Sequence, residues 1–145
     1  MPKANDTMFA SAAQSSARRQ LGAYQLVQVA SIVDDASPHR LVSMLFDGLI
    51  DSLAQARGAI RAGNIEEKGR AITRAVRIVE EGLKAGLNLK EGGKLATDLR
   101  DLYAYVNYRL TQANLRNDEA AIEECRSLIE PLRSAWAEVA NKVKA

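Results

Sequence analysis

The chain carries one histidine, His39, and one cysteine, Cys125, and these are the first candidates for a base and a nucleophile. General-base work by His39 needs a nucleophile or a metal beside it, and the sequence offers no obvious partner. A solvent-facing imidazole in the first turn of a helix is the expectation. Cys125 lies between Ile122 and Ile129 on an apolar seam, beside Glu123 and Glu124. Neighbouring carboxylates raise a thiol pKa, the opposite of what a nucleophile needs, so Cys125 reads as a small buried hydrophobe. A disulfide framework is impossible with one cysteine, and the usual zinc ligand set is lacking. The carboxylate pairs Glu66 with Glu67, Glu80 with Glu81, and Glu123 with Glu124 suggest a metal centre inside a helical bundle. That chemistry needs Glu-x-x-His motifs projecting inward, and His39 is not so placed. These pairs read as solvated faces, with Glu80 in the favourable order four residues before Lys84. Gly92-Gly93 has no strand before it and neither phosphate-loop spacing around it, so a helix–helix turn is expected. The inventory points away from an enzyme and implies no cofactor and no metal.

The aromatic residues point elsewhere. Tyr103, Tyr105 and Tyr108 crowd one stretch of a helical pattern whose seam is already supplied by Leu102 and Val106. Successive helical residues turn by about 100°, so the three rings cannot share one stripe and some must occupy a second face. Two readings stand: tyrosines at the edge of the core with wet hydroxyls, or a groove of apolar bodies with polar tips that binds another chain. Phe46, Leu49, Ile50 and Leu53 likewise widen an apolar arc beyond a strict seam. Surplus apolar surface of this kind must be covered by another segment or by a partner.

The elements that position these residues are all helical. Residues 1–17 are rich in Ala, Ser, Asn and Gln without an apolar period and read as a mobile, disordered tail. Residues 18–145 read as one domain. A short amphipathic helix is expected over 18–31, containing Tyr24 and Val29, before Asp34-Asp35 breaks the pattern. Ser37-Pro38 then starts a long helix, with the hydroxyl at N-cap and proline at N1. That helix runs over 38–62 with Leu41, Met44, Leu45, Leu49, Leu53, Ala56 and Ile60 inward, and Gly63 stops it. Asn64 begins a second, with Glu67 completing a near capping box and Ile65, Gly69, Ile72, Val76, Val79, Leu83 and Gly86 inward. A loop over 88–93 leads to a third, presenting Leu95, Leu99, Leu102, Val106, Leu110 and Ala113. Asn117-Asp118 breaks and recaps the chain for a fourth, carrying Ile122, Cys125, Ile129, Leu132, Trp136, Val139 and Val143. Pro131 inside it is expected to remove a backbone bond and kink it. Spacings of three and four across helices joined by short loops predict an antiparallel up-down-up-down four-helix bundle with the short N-terminal helix packed on it.

Charge and hydropathy narrow the partners. Twenty Lys and Arg against eighteen Asp and Glu leave +2, spread along the chain, so the basic stripe of a nucleic-acid binder is missing. No apolar run is long enough to cross a membrane, and no basic segment followed by an apolar stretch opens the sequence, so neither insertion nor Sec-type export is expected.

Three blocks carry a resemblance. Tyr24 and Val29, followed by Ala36-Ser37-Pro38-His39-Arg40-Leu41-Val42-Ser43-Met44-Leu45-Phe46-Asp47-Gly48-Leu49-Ile50, resemble the opening of the flagellin-specific export chaperones, the FliS family. Leu87-Asn88-Leu89-Lys90-Glu91-Gly92-Gly93-Lys94-Leu95-Ala96, with Leu99, Leu102, Tyr103 and Tyr105, resembles its second block, and Leu132-Arg133-Ser134-Ala135-Trp136 its third. The blocks occur in order and span residues 21–139, with Phe46 standing where the family usually has tyrosine.

The resemblance implies a cytoplasmic chaperone with a helical-bundle fold. Such a protein binds the disordered C-terminal segment of flagellin, prevents premature polymerisation and hands the subunit to the flagellar type III export apparatus, whose gate components are further possible partners. On that reading Tyr24, Val29, Leu41, Leu45, Phe46, Leu99, Tyr103, Val106 and Leu110 are the expected apolar contacts to the client. Asn88, Gly92 and Gly93 shape a turn, Trp136 anchors the core, and the segment with Tyr24 and Val29 covers the groove when no client is present. The competing classes are a helical adaptor or regulatory protein for a different partner and a carboxylate-metal enzyme.

Overall fold

The structure, a computed structural model, describes residues 37–144, with side chains described through Val139. The expected tail, the short helix over 18–31, and its Tyr24 and Val29 lie outside the described residues. Within them the fold is all-α, with four helical segments and no strand.

Local hydrogen bonds set each boundary. Helix α1, Pro38–Ala62, starts where the Ser37 hydroxyl accepts from the Arg40 N–H at 3.1 Å, and Pro38 fills the first turn at no hydrogen-bond cost. It ends at Gly63, whose φ of +70° lets the chain turn left-handed so that the Asn64 N–H reaches the Ala59 carbonyl. Helix α2, Ile65–Arg77, is capped by Asn64, whose side-chain oxygen accepts from the Glu67 N–H at 3.0 Å. Helix α3, Leu89–Arg116, is capped the same way by Asn88 and ends at Asn117 with φ +52°. The Asp118 carboxylate accepts from the Ala121 N–H and opens α4, Glu119–Lys144, with Pro131 in its interior.

Two features depart from the expected periodicity. The second helix does not run on as an α-helix: Ile78–Lys84 is π-helical, which inserts a residue into the ladder and shifts the face presented to the core. Its buried stripe is Lys68, Ala71, Ile72, Ala75, Ile78, Val79, Gly82 and Leu83, and Ile65 stands 72% exposed. Ile65 falls on the same face as Lys68 and Ile72 but lies in the first turn, at the end of that stripe, and is left uncovered there. In the third helix the expected loop over 88–93 is partly helical, and the break falls at Gly93 (φ +57°, ψ −137°), a conformation that glycine alone adopts readily. Leu95, which follows the break, is 69% exposed, and Tyr103 takes the core position expected of Leu102.

Helix α1 packs on α2 and α4, while α3 packs on α4, on α2 and on the π-helical stretch. Leu49, Leu53, Val79, Val106, Leu110, Ile122, Cys125 and Ile129 are fully buried between them. At one end the α1–α4 seam is held by charge: Arg57 bonds Glu119 and Glu123, each at 2.8 Å, and Arg61 also bonds Glu119. Further along the same seam Arg133 bonds Asp47 at 2.8 Å.

Candidate functional site

An open, apolar-lined groove of about 560 Å³ lies where the start of α1, the end of the π-helical stretch, the start of α3 and the later part of α4 converge. Phe46, Leu83 and Tyr103 form its buried floor. Val42, Leu87, Leu99 and Leu132 line it and are half-buried, and Leu95 and Val139 stand at its rim, 69% and 45% exposed. Gly86 and Ala135 contribute almost no side-chain bulk, which keeps it open. The break at Gly93 precedes Leu95 directly, so the positive-φ glycine sets how α3 enters this face.

One wall is a ring pair. His39 stacks on Trp136 with centroids 4.4 Å apart and planes 14° from parallel. The indole N–H donates to the His39 carbonyl oxygen at 2.9 Å, so the pair ties the first turn of α1 to α4. The expected solvent-facing histidine is thus corrected: the ring lies in the groove wall because Trp136 offers it a flat apolar face. Its Nε2 is buried and has no hydrogen-bond partner among the described residues. Trp136 packs against the core but also lines the groove. On the floor, burial pushes the Tyr103 hydroxyl up to about 12, so it stays neutral at physiological pH.

Of the residues expected at a binding surface, Phe46, Leu99 and Tyr103 meet in this groove. Leu41 and Leu45 are buried in the core beneath α1, Leu45 against Gly82. Val106 and Leu110 are fully enclosed further along α3, where they support the packing that holds the floor in place. Sequence reasoning passed over His39, Val42, Leu87, Leu95, Leu132 and Val139 as lining; the available signal was apolar surface beyond a strict seam. The tyrosines divide as helical geometry requires: Tyr103 is buried, Tyr105 and Tyr108 exposed. Tyr105 donates to Glu124, and Tyr108 accepts from the Gln112 amide at 2.9 Å, so both hydroxyls are engaged on the α3 surface.

The candidates for chemistry have structural partners. Burial pushes the Cys125 thiol up to about 12, with Glu124 adding to the effect, and its sulfur faces the Val106 carbonyl at 3.6 Å. Glu66 and Glu67 pair with Arg70, Glu80 with Lys84, Glu123 with Arg57 and Arg126, and Glu124 with Arg109. Among the described residues no group of three or more His, Cys, Asp or Glu side chains could hold a metal ion, and no helix is long and apolar enough to cross a membrane.

Among the described residues, fold and groove together define an all-helical arrangement that offers an apolar cleft. Residues 20–143 match the family model described as flagellar protein FliS. The chain is 47% identical over 120 residues to the flagellar secretion chaperone FliS of Salmonella typhimurium, covering 83% of this chain and 89% of that one. It is 40% identical over 120 residues to FliSB of Pseudomonas aeruginosa, covering 83% and 94% of the two chains. Against FliS of Escherichia coli it is 40% identical over 116 residues, covering 80% and 85%. The chain belongs to the FliS family of flagellar secretion chaperones.

Proposed function

We propose that this chain is a cytosolic export chaperone that binds the disordered C-terminal segment of flagellin, prevents premature polymerisation and supports delivery to the flagellar type III export apparatus. The groove carries the reading: an apolar cleft of about 560 Å³ on a helical protein suits the apolar face of a short amphipathic segment. Flagellin subunits bury such a face against one another when they polymerise. A substitute groove in the cytosol competes with that step by mass action. A disordered client loses ordering entropy on binding, so affinity stays moderate for the area covered and release remains possible.

In this reading the helices form an antiparallel up-down-up-down bundle and residues 18–145 act as one domain. Phe46, Leu99 and Tyr103 contact the client directly, while Leu41, Leu45, Val106 and Leu110 act from behind the surface. The segment with Tyr24 and Val29 forms a short helix that covers the groove in the client's absence.

A pull-down with flagellin, with and without its C-terminal arm, tests the proposal. Binding lost on removing the arm is the expected outcome. Equal capture of both forms overturns the reading and favours an adaptor for a folded partner.

A further inference from the structure

We infer that a cleft along α2 is a second docking surface, on which Arg74 receives a carboxylate from an acidic segment of a partner other than the flagellin arm. The cleft is open, encloses about 620 Å³, and is lined by Ile65, Arg70, Arg74 and Arg77 of α2 with Gln55 of α1. It shares no lining residue with the apolar groove, so both can be occupied at once. The three arginines stand at i, i+4 and i+7 on one helix face, where like charges repel. The outer two are neutralised locally: Arg70 meets Glu67 at 3.0 Å and Glu66 at 3.9 Å, and Arg77 meets Glu81 at 3.2 Å. Arg74, between them, makes no ion pair or hydrogen bond among the described residues. Its Nε is sealed from solvent, and its two terminal nitrogens keep accessible surface.

Packing holds this unpaired charge in place. The half-buried Arg74 lies against α1 at Gly48, where an added Cβ would stand 3.3 Å from Nη2. Glycine inside a helix is unfavourable relative to alanine, and at this position it leaves the space that the guanidinium uses. A guanidinium fixed in that way presents its terminal N–H groups as a ready fork for one carboxylate. Charge complementarity therefore selects the occupant. Glu66 and Glu67 line the same cleft and repel a continuous polyanion, whereas a side-chain carboxylate on Arg74 meets no acid of its own helix turn. Ile65, 72% exposed at the other end of the lining, supplies an apolar anchor. It stands nine positions from Arg74 on α2, about 13–14 Å along the axis. An extended chain covers that distance in about four residues, so the segment that fits carries an apolar side chain about four residues from its acid.

NMR titration of the full-length, isotope-labelled chain tests this, with a synthetic peptide carrying a leucine and, four residues on, two glutamates. The matched control peptide has glutamines in place of the glutamates. The expected result is that the glutamate peptide moves the Arg74 Nε–H and Ile65 methyl signals, and the glutamine peptide leaves them in place. Arg74→Gln is expected to melt no lower than wild type, since it removes an unpaired charge, yet to bind the glutamate peptide about tenfold more weakly. Arg74→Lys, which keeps the charge without the fork, should recover part of that affinity, and both variants should bind the flagellin arm as wild type does. Equal shifts from the two peptides overturn the inference, as does an Arg74→Gln protein that binds the glutamate peptide within about twofold of wild type. So does a flagellin arm that itself moves the Arg74 and Ile65 signals, which would make this face part of the client's seat. A wild-type protein that fails to bind the arm removes the groove reading and leaves this inference to the glutamate peptide alone.

Discussion

The Lys68 ammonium donates to the side-chain oxygen of Asn117, so a lysine on α2 closes the C-terminal end of α3. Its second bond, to the Asn114 carbonyl at 2.8 Å, satisfies one of the acceptors that a helix end leaves open, and its positive charge sits where the helix dipole is negative. Lys68 is 7% exposed, so its partners cannot be replaced freely by water. Lys68→Met keeps the stem and loses both bonds. It is expected to lower stability by about 1–3 kcal/mol, read as a shift in urea midpoint with an unchanged slope.

Two glycines give opposite predictions for the same substitution. Gly93 holds φ +57° and ψ −137°, so a side chain there is strained even though an added Cβ would touch nothing. Gly93→Ala is expected to destabilise by about 1–3 kcal/mol and, by altering the entry of α3 into the groove, to weaken client binding. Gly58 sits exposed inside α1, and an added Cβ there also meets nothing within 4 Å. Gly58→Ala is expected to stabilise by about 0.4–1 kcal/mol, through helix propensity and a less flexible unfolded chain. Thermal melts of the two variants side by side check the pair; equal shifts would contradict the backbone argument.

Acid sensitivity is built into α4. Hydrogen bonds from Arg61 and Arg57 hold the Glu119 carboxyl below its ordinary value of 4.5, and those from Tyr105 and Arg109 do the same for Glu124. A depressed folded pKa means that the unfolded state binds more protons as pH falls. The contribution is present above 4.5 and is lost as pH drops through the folded value. Melting temperature is expected to fall below that pH, more gently in Glu119→Gln and in Glu124→Gln than in wild type. Both carboxylates are solvent-accessible, so added salt should reduce the difference.

Cys125 titrates in the other direction. Burial raises its folded value from 9.0 to about 12, so the thiol form stabilises the fold below the unfolded value. That contribution declines as pH rises from 9.0 towards about 12. At neutral pH the native thiol is expected to be inert to an exposed-thiol reagent and to react only as the protein unfolds. Rates measured across a urea series should follow the unfolded fraction; rapid reaction in the native state would show that α3 and α4 open locally.

Most of these helix boundaries were legible because caps are local; the start of α3 was not, since Asn88 caps it inside a segment expected to be a loop. Ser37 with Arg40, Asn64 with Glu67, and Asp118 with Ala121 each bond within three residues, so sequence alone carries the signal. The register beyond the caps was less so. The π-helical stretch coincides with Gly82 lying against Leu45 on another helix, a contact no local pattern encodes. Lys68 reads as a surface residue until its targets, 46 and 49 residues away, are placed beside it. The groove was half visible: Phe46 and Tyr103 stood out as surplus apolar groups, but the His39–Trp136 wall joins residues 97 apart. Resemblance supplied the family and its client; only packing separates residues that line the cleft from residues that support it.

That separation can be measured by setting rim against floor. Leu95 and Val139 stand at the edge of the groove with most or nearly half of their surface exposed, so neither contributes much to the core. Leu95→Glu and Val139→Glu should leave stability within about 0.5 kcal/mol of wild type, as surface substitutions usually do. Each places a carboxylate where an apolar client face must be desolvated, so peptide affinity is expected to fall by about tenfold or more. Ile65→Glu is the matched control, since Ile65 is 72% exposed but does not line the groove. Phe46→Ala tests the floor: with 4% of Phe46 exposed, the truncation should cost about 3–5 kcal/mol of stability. Its binding loss must therefore be read beside its melting curve. Titration of all four variants with the flagellin arm decides the matter. If Ile65→Glu weakens binding as much as Leu95→Glu, the client does not discriminate between these faces, and the groove is not its seat.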